Sequence, residues 1–229
     1  MSLDRALGVL GLIIGLPGFF ALFFTNQGTV ASLAISLAIV LIGAGVLRER
    51  AVNQPAFKCK RVDLNVTVDP KVAVLKKTYR MVPNFNNLHD FIHRNIAADG
   101  QIHTFLWNGK PVDQGRISKQ LGEYSITTLL VPTPTKGKEF GGELSYTMDD
   151  AFPAATESMI YAIDIPTEIV SMTLQLARPC TKAEARIDAS GQSHQIPGRG
   201  LLISEDRKTL TLQAKRPRVG SWVRIYWDW

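Results

Sequence analysis

Polar and apolar positions divide the chain into two regimes. From Ala6 to Leu47 no side chain is charged, and within that stretch two apolar runs, 6–24 and 30–47, are separated by TNQGT at 25–29. Each run approaches the roughly 20 apolar residues that a helix needs to cross a hydrocarbon core about 30 Å thick. The pattern predicts a transmembrane α-hairpin over residues 1–47. The first run is longer than the core of a secretory leader and a second follows at once, so an anchor is expected rather than a cleaved signal.

Beyond a polar linker, residues 48–57 (RERAVNQPAF), the period changes to two. VDLNVTV (62–68) alternates apolar and polar side chains, and VAVLKKTYRMV (72–82) is rich in β-branched and aromatic residues. Further strands are expected at 101–107, 123–131, 143–147, 158–165, 168–177, 183–188, 209–214 and 221–229. The turn signals NGKP, TPTKGK, SGQ, IPGRG and RPRVG divide them. One stretch departs from this pattern. In NNLHDFIHRNIAADG (86–100), Leu88, Phe91, Ile92 and Ile96 recur at helical spacing behind an Asn, which predicts one short helix. The expected fold class is therefore a membrane-anchored, mainly-β protein. It has an N-terminal transmembrane α-hairpin and, over 58–229, a cytosolic β-sandwich or small β-barrel with one short helix.

In the final strand, Val223, Ile225, Trp227 and Trp229 share one side and are expected in the core. Trp222, Arg224, Tyr226 and Asp228 take the other.

Small residues are ordered within the charge-free stretch. On a helix, Gly8, Gly11, Gly15 and Gly18 fall within an arc of about 80°. In the second run Ala31, Ala34 and Ala38 form a similar stripe, with Ser32 and Ser36 beside it. In lipid, flat faces let helix backbones approach closely. These residues are read as helix-packing positions, serving either a tight hairpin or a homo-oligomer in the lipid bilayer. Arg5 precedes the first run, and Arg48, Arg50, Lys58, Lys60 and Arg61 follow the second, whereas 25–29 holds no cation. The positive-inside rule puts both termini in the cytoplasm. Cys59 and Cys180 have neither metal-ligand nor redox spacing and read as reduced, structural thiols.

Of the formal net charge of +6, all but one unit lies beyond residue 55, a mild excess compatible with anionic lipid or nucleic acid. His89 and His93 stand four apart, but the pair lacks a third ligand and reads as surface histidines on the expected helix, with no metal site. No nucleophile elbow, P-loop or dinucleotide fingerprint is present, and neither a catalytic residue nor a cofactor is expected. Two ligand-binding candidates remain. IPGRG (196–200) carries Arg199, a phosphate cradle or a plain hairpin turn. AKRPRVGSWVR (214–224) places Lys215, Arg216 and Arg218 beside Trp222, a mixture suited to a nucleotide or a nucleic acid, and equally to a solvated loop or a surface on anionic headgroups.

A short transmembrane hairpin joined to a β-rich cytosolic domain resembles the small membrane effectors of bacterial antiphage defence, the two-helix effectors of CBASS and of some retrons. The resemblance is one of architecture over the whole chain. It implies that the soluble part senses a signal, such as a nucleotide messenger, or is held by a regulatory protein partner. It further implies that clustering of the helices disrupts the inner membrane in abortive infection. A membrane-tethered interaction or scaffolding module, without membrane damage, is the alternative.

Overall fold

The computed structural model describes residues 54–69, 71–97, 100–189, 192–195 and 200–229. The chain divides at Gln54/Pro55 into two compact units. Only the second is described below. The expected spans, 6–24 and 30–47, the small-residue stripes Gly8, Gly11, Gly15, Gly18, Ala31, Ala34 and Ala38, and Arg199 lie outside the described residues.

Among the described residues fifteen strands follow one another. β1 (Phe57–Val68) and β2 (Val72–Pro83) form a long hairpin. Next come β3 (Asp90–Ile96), β4 (Gln101–Trp107), β5 (Lys110–Pro111), β6 (Ile117–Gln120), β7 (Glu123–Leu129) and β8 (Phe140–Asp149). β9 (Thr156–Ala162), β10 (Thr167–Leu176), β11 (Lys182–Ala189), β12 (Gln192–Gln195), β13 (Leu201–Ile203), β14 (Thr209–Lys215) and β15 (Trp222–Asp228) complete the unit. They make an eight-stranded sheet ordered β13-β14-β10-β1-β2-β8-β4-β5, a four-stranded sheet β12-β11-β15-β9 and a three-stranded sheet β3-β7-β6. In the large sheet only the β1–β10 pair is parallel.

The period of two decides what is buried. Val62, Leu64, Val66 and Val68 of β1, Leu75 and Met81 of β2, and Met172 and Leu174 of β10 turn to one face, each no more than 2% exposed. The other face carries Asn65, Thr67, Lys76, Thr173 and Gln213. Val223, Ile225 and Trp227 of β15 and Phe91 and Ile126 of the three-stranded sheet join the same core. Each such side chain contributes about 1.5–3 kcal/mol by leaving water. Trp229 lies beyond the end of β15 and is half-buried, its ring packing edge-on against Trp227 at 6.0 Å.

The expected fold class needs correction. Among the described residues there is no α-helix, the single helical turn being a 3-10 turn at Gln114–Arg116, and no helix is long and apolar enough to cross a membrane. The short helix expected in 86–100 is a loop followed by strand β3. Asn87 has φ 60, outside the helical range. Phe91 and His93 alternate inward, while Ile92, which helical spacing placed on the apolar face, is 42% exposed. The strand wins because β7 offers a partner: Asp90, Phe91, Ile92 and His93 pair with Leu129, Thr128, Thr127 and Ile126.

Candidate functional site: the outer face of the four-stranded sheet

β15 runs between β11 and β9, and its outward residues meet those of both neighbours. Arg224 lies 5.9 Å from the Trp222 ring centroid and 5.2 Å from that of Tyr226. Arg186, directly opposite Arg224 on β11, lies 5.3 Å from the Tyr226 ring. Two guanidiniums facing each other across a strand pair repel. Glu184, 2.6 Å from Arg186, and Asp188, 3.7 Å from Arg224, offset that repulsion. Arg224 also donates a hydrogen bond to the Tyr226 hydroxyl. The Nε of each arginine is buried and makes no hydrogen bond. Beside this ladder Trp222 is 47% exposed and Ile160, on β9, is 39% exposed. The face thus combines an uncovered indole, stacked guanidiniums and flanking carboxylates, a surface of mixed charge with aromatic anchors.

The basic turn anticipated from sequence leads into this face. Lys215 ends β14, and Arg216 follows at φ 49, its N–H donating to the Glu168 carbonyl at 2.7 Å. The Arg218 carbonyl accepts from the Ser221 hydroxyl at 2.6 Å, and Trp222 opens β15. Lys215, Arg216 and Arg218 are exposed. Lys215 belongs to the eight-stranded sheet and Trp222 to the four-stranded one, so the turn joins two sheets instead of forming one ligand platform. Arg186, Glu184 and Asp188 were not singled out from the sequence. AEARID announces a strand, but nothing local says that it pairs with β15.

A second feature is a cleft of about 260 Å³ between β4, β8 and the loop at 130–139. Trp107, Val131, Pro132, Pro134 and Phe140 give it apolar walls, and the Val131–Pro132 peptide bond is cis.

A third is internal. The histidine pair expected on one helix face is split: His89 is exposed, and His93 is 1% exposed. Thr128 donates its hydroxyl proton to the Phe91 carbonyl at 3.2 Å. It must therefore accept the 3.1 Å bond from His93 Nε2–H, which leaves Nδ1 to accept from the Tyr79 hydroxyl at 3.0 Å. Burial, aided by the charge of Lys77, holds the His93 pKa well below its ordinary value, so the ring is neutral and fully bonded. Nearby, Lys77 is 8% exposed, with its ammonium 4.4 Å from the Tyr161 ring centroid and 5.2 Å from that of Tyr79. Burial lowers its pKa to about 8 against the opposing pull of Asp164. The Cys59 thiol, pushed up to about 12 by burial, is inert. Among the described residues no group of three His, Cys, Asp or Glu side chains is placed to hold a metal ion.

No family model matches the chain, and no curated protein matches it. Similar solved structures include an M1 zinc metallopeptidase from Deinococcus radiodurans, 13% identical over 75% of this chain and 42% of that one, with a TM-score of 0.40. Leukotriene A4 hydrolase from Saccharomyces cerevisiae is 10% identical over 75% of this chain and 29% of that one, with a TM-score of 0.43. Legionella pneumophila aminopeptidase A in complex with aspartic acid is 8% identical over 76% of this chain and 22% of that one, with a TM-score of 0.41. The chain spans less than half the length of each of these structures.

Proposed function

We propose that this protein is a binding effector of bacterial antiphage defence at the inner membrane, whose β unit is held by a regulatory protein through the outer face of the four-stranded sheet. The observation that carries the reading is the ladder Trp222–Arg224–Tyr226 with Arg186. Trp, Tyr and Arg supply most of the binding energy at protein interfaces, and mixed charge selects a partner of matching pattern. The paired carboxylates favour a protein over a nucleotide, because Glu184 and Asp188 already neutralise the guanidiniums that a phosphate would need. Bilayer association is supported by the absence of charge in residues 6 to 47, and a cytoplasmic β unit by the cations that follow them. The second reading, an interaction module that recruits the same partner without harming the bilayer, is favoured by the same face, which needs only a place at the membrane.

The test is expression of the full chain with and without the genes that flank it, reading dye entry, membrane fractionation and co-purification together. Trp222→Ala with Arg224→Ala should weaken partner capture at least thirty-fold, about 2 kcal/mol, and release dye entry that the partner had suppressed. Loss of capture without dye entry in any combination supports the recruiting module and ends the effector reading. Undiminished capture by the double variant removes this face from the function.

A further inference from the structure

The strands of the eight-stranded sheet give it two chemically different ends. Phe57 of β1 pairs with Pro83 of β2, Met81 with Phe140 of β8, Cys59 with Thr167 of β10, and Ile169 with Lys215 of β14. These residues mark one end, where the chain enters the unit. The loops at 84–89 and 130–139 are tied to it: Ala56 accepts from the Asn84 N–H and Pro83 from the Gly137 N–H. The turn at 216–220 is tied there too, by Arg216 N–H to Glu168 O and Gly220 N–H to Ile163 O.

Cations collect at this end. Lys58, Lys136, Lys138, Lys215, Arg216 and Arg218 are exposed and form no ion pair among the described residues. Lys60 and Arg80 share the carboxylate of Glu139, at 3.7 and 2.6 Å. Among the described residues Asp164 and Glu168 oppose them, while Asp90, at the start of β3, is paired with Arg116. Apolar side chains project among the cations: Phe85 is 37%, Val219 55% and Val131 81% exposed. The opposite end, where β1 turns into β2 and β13 into β14, is more nearly balanced: Asp69, Asp149, Asp150, Glu205 and Asp206 stand among Lys71, Arg178, Arg207 and Lys208.

We infer that the basic end of the eight-stranded sheet is a docking surface for an anionic bilayer, with Val131 and Val219 entering the headgroup region and the uncommitted cations pairing with lipid phosphates. The choice of occupant follows from complementarity. Isolated valines and a phenylalanine between lysines and arginines match an interface that is apolar below and anionic above. They do not make the contiguous apolar core of a protein interface. Among the described residues of these loops Phe85 offers the one exposed ring, too few to stack successive bases of a nucleic acid. The opposite end, its charges nearly balanced, offers the same field no comparable attraction. The inference rests on the membrane association proposed above and adds an orientation: the end at which the chain enters the β unit faces the leaflet.

The full chain supplies the test, because Cys59 and Cys180 are each 1% exposed and a new surface cysteine can be labelled selectively. Val219→Cys carries an environment-sensitive fluorophore in the full chain, mixed with vesicles of phosphatidylcholine alone or with phosphatidylglycerol. Glu205→Cys, at the opposite end, is the control. Expected is a blue shift at position 219 with phosphatidylglycerol only, reversed by high salt, and none at position 205. Neutralising Arg216→Gln and Arg218→Gln should lower the docked fraction about fivefold per cation, with an unchanged unfolding midpoint. If the chain floats with the vesicles but position 219 stays in water, the docking surface is wrong while membrane association stands. If the chain does not float at all, both fall. A shift produced by a single-stranded oligonucleotide and not by vesicles would overturn the inference in favour of nucleic acid.

Discussion

Lys77 and His93 show how far single side chains can set the pH behaviour of this molecule. The folded state lowers the Lys77 pKa from 10.5 to about 8, so between these values the unfolded chain holds the proton more tightly and stability rises with pH. The full gain is about 3 kcal/mol, complete above pH 10.5 and lost as pH falls to about 8. Cys59 acts in the opposite sense, because its folded pKa of about 12 makes stability fall above pH 9. Between pH 8 and 9 the lysine dominates, the thiol offsetting part of its gain, and urea unfolding there should show a net rise of about 0.7 kcal/mol. In Lys77→Met, which keeps the volume and removes the buried charge, that rise should vanish, and stability at pH 7 should increase by about 1–3 kcal/mol. A Lys77→Met protein with the wild-type pH profile would mean that the ammonium is solvated. His93 acts on the acid side. Its folded pKa is depressed, so its contribution is complete above pH 6.5 and is lost as pH falls below that value. Tyr79→Phe would leave Nδ1 without its donor, at a cost of about 1–3 kcal/mol. A change of less than half that, read from the same unfolding curves, would argue against the bonded chain from Tyr79 to Phe91.

At the scale of elements, β15 has the largest consequence because it is central to the four-stranded sheet. Its removal would separate β9 from β11 and take Val223, Ile225 and Trp227 from the core. Trp227→Ala alone should cost about 3–5 kcal/mol, and deletion of 222–229 should abolish cooperative unfolding. A shortened chain with a sharp thermal transition would show that the large sheet folds without this cover. The meeting of β4 and β8 turns on one glycine. A Cβ at Gly142 would collide with the Trp107 indole, so Gly142→Ala should displace the ring and destabilise by about 1–3 kcal/mol, visible as a change in Trp fluorescence. These elements differ in how legible they were. β1 and β15 announce themselves by alternation, since one face is apolar and the other wet, and β2 by its β-branched and aromatic composition. β3 did not, because Leu88, Phe91 and Ile92 imitate a helical stripe and the evidence for a strand lies on β7, more than thirty residues away.

For the whole molecule, the division at Gln54/Pro55 leaves the second unit with its own continuous core. A fragment beginning at Pro55 should fold alone, with a far-ultraviolet circular dichroism spectrum dominated by β-structure and a single unfolding transition. Aggregation of that fragment under all conditions would mean that the first unit is needed to complete it. At high salt the full chain should sediment with membranes and the fragment should not. A fragment that sediments with phosphatidylglycerol vesicles only at low salt would be behaving as the basic end demands, because the attraction of exposed charges is screened within about 10 Å at 0.1 M salt.

Of the candidate site, the sequence determined the outward set on β15, Trp222, Arg224 and Tyr226, because a strand has a period of two whatever it pairs with. For the same reason it determined most strand positions and the concentration of cations between Lys215 and Arg218. Tertiary structure decided which strands are neighbours. It brought Arg186, Glu184 and Asp188 beside Arg224, split His89 from His93, and gathered Lys58, Lys136 and Arg216 at one end of a sheet from three distant parts of the chain. Alternation specifies which side of a strand is buried. Which partner completes the backbone hydrogen bonds is specified only by the packing of every strand at once.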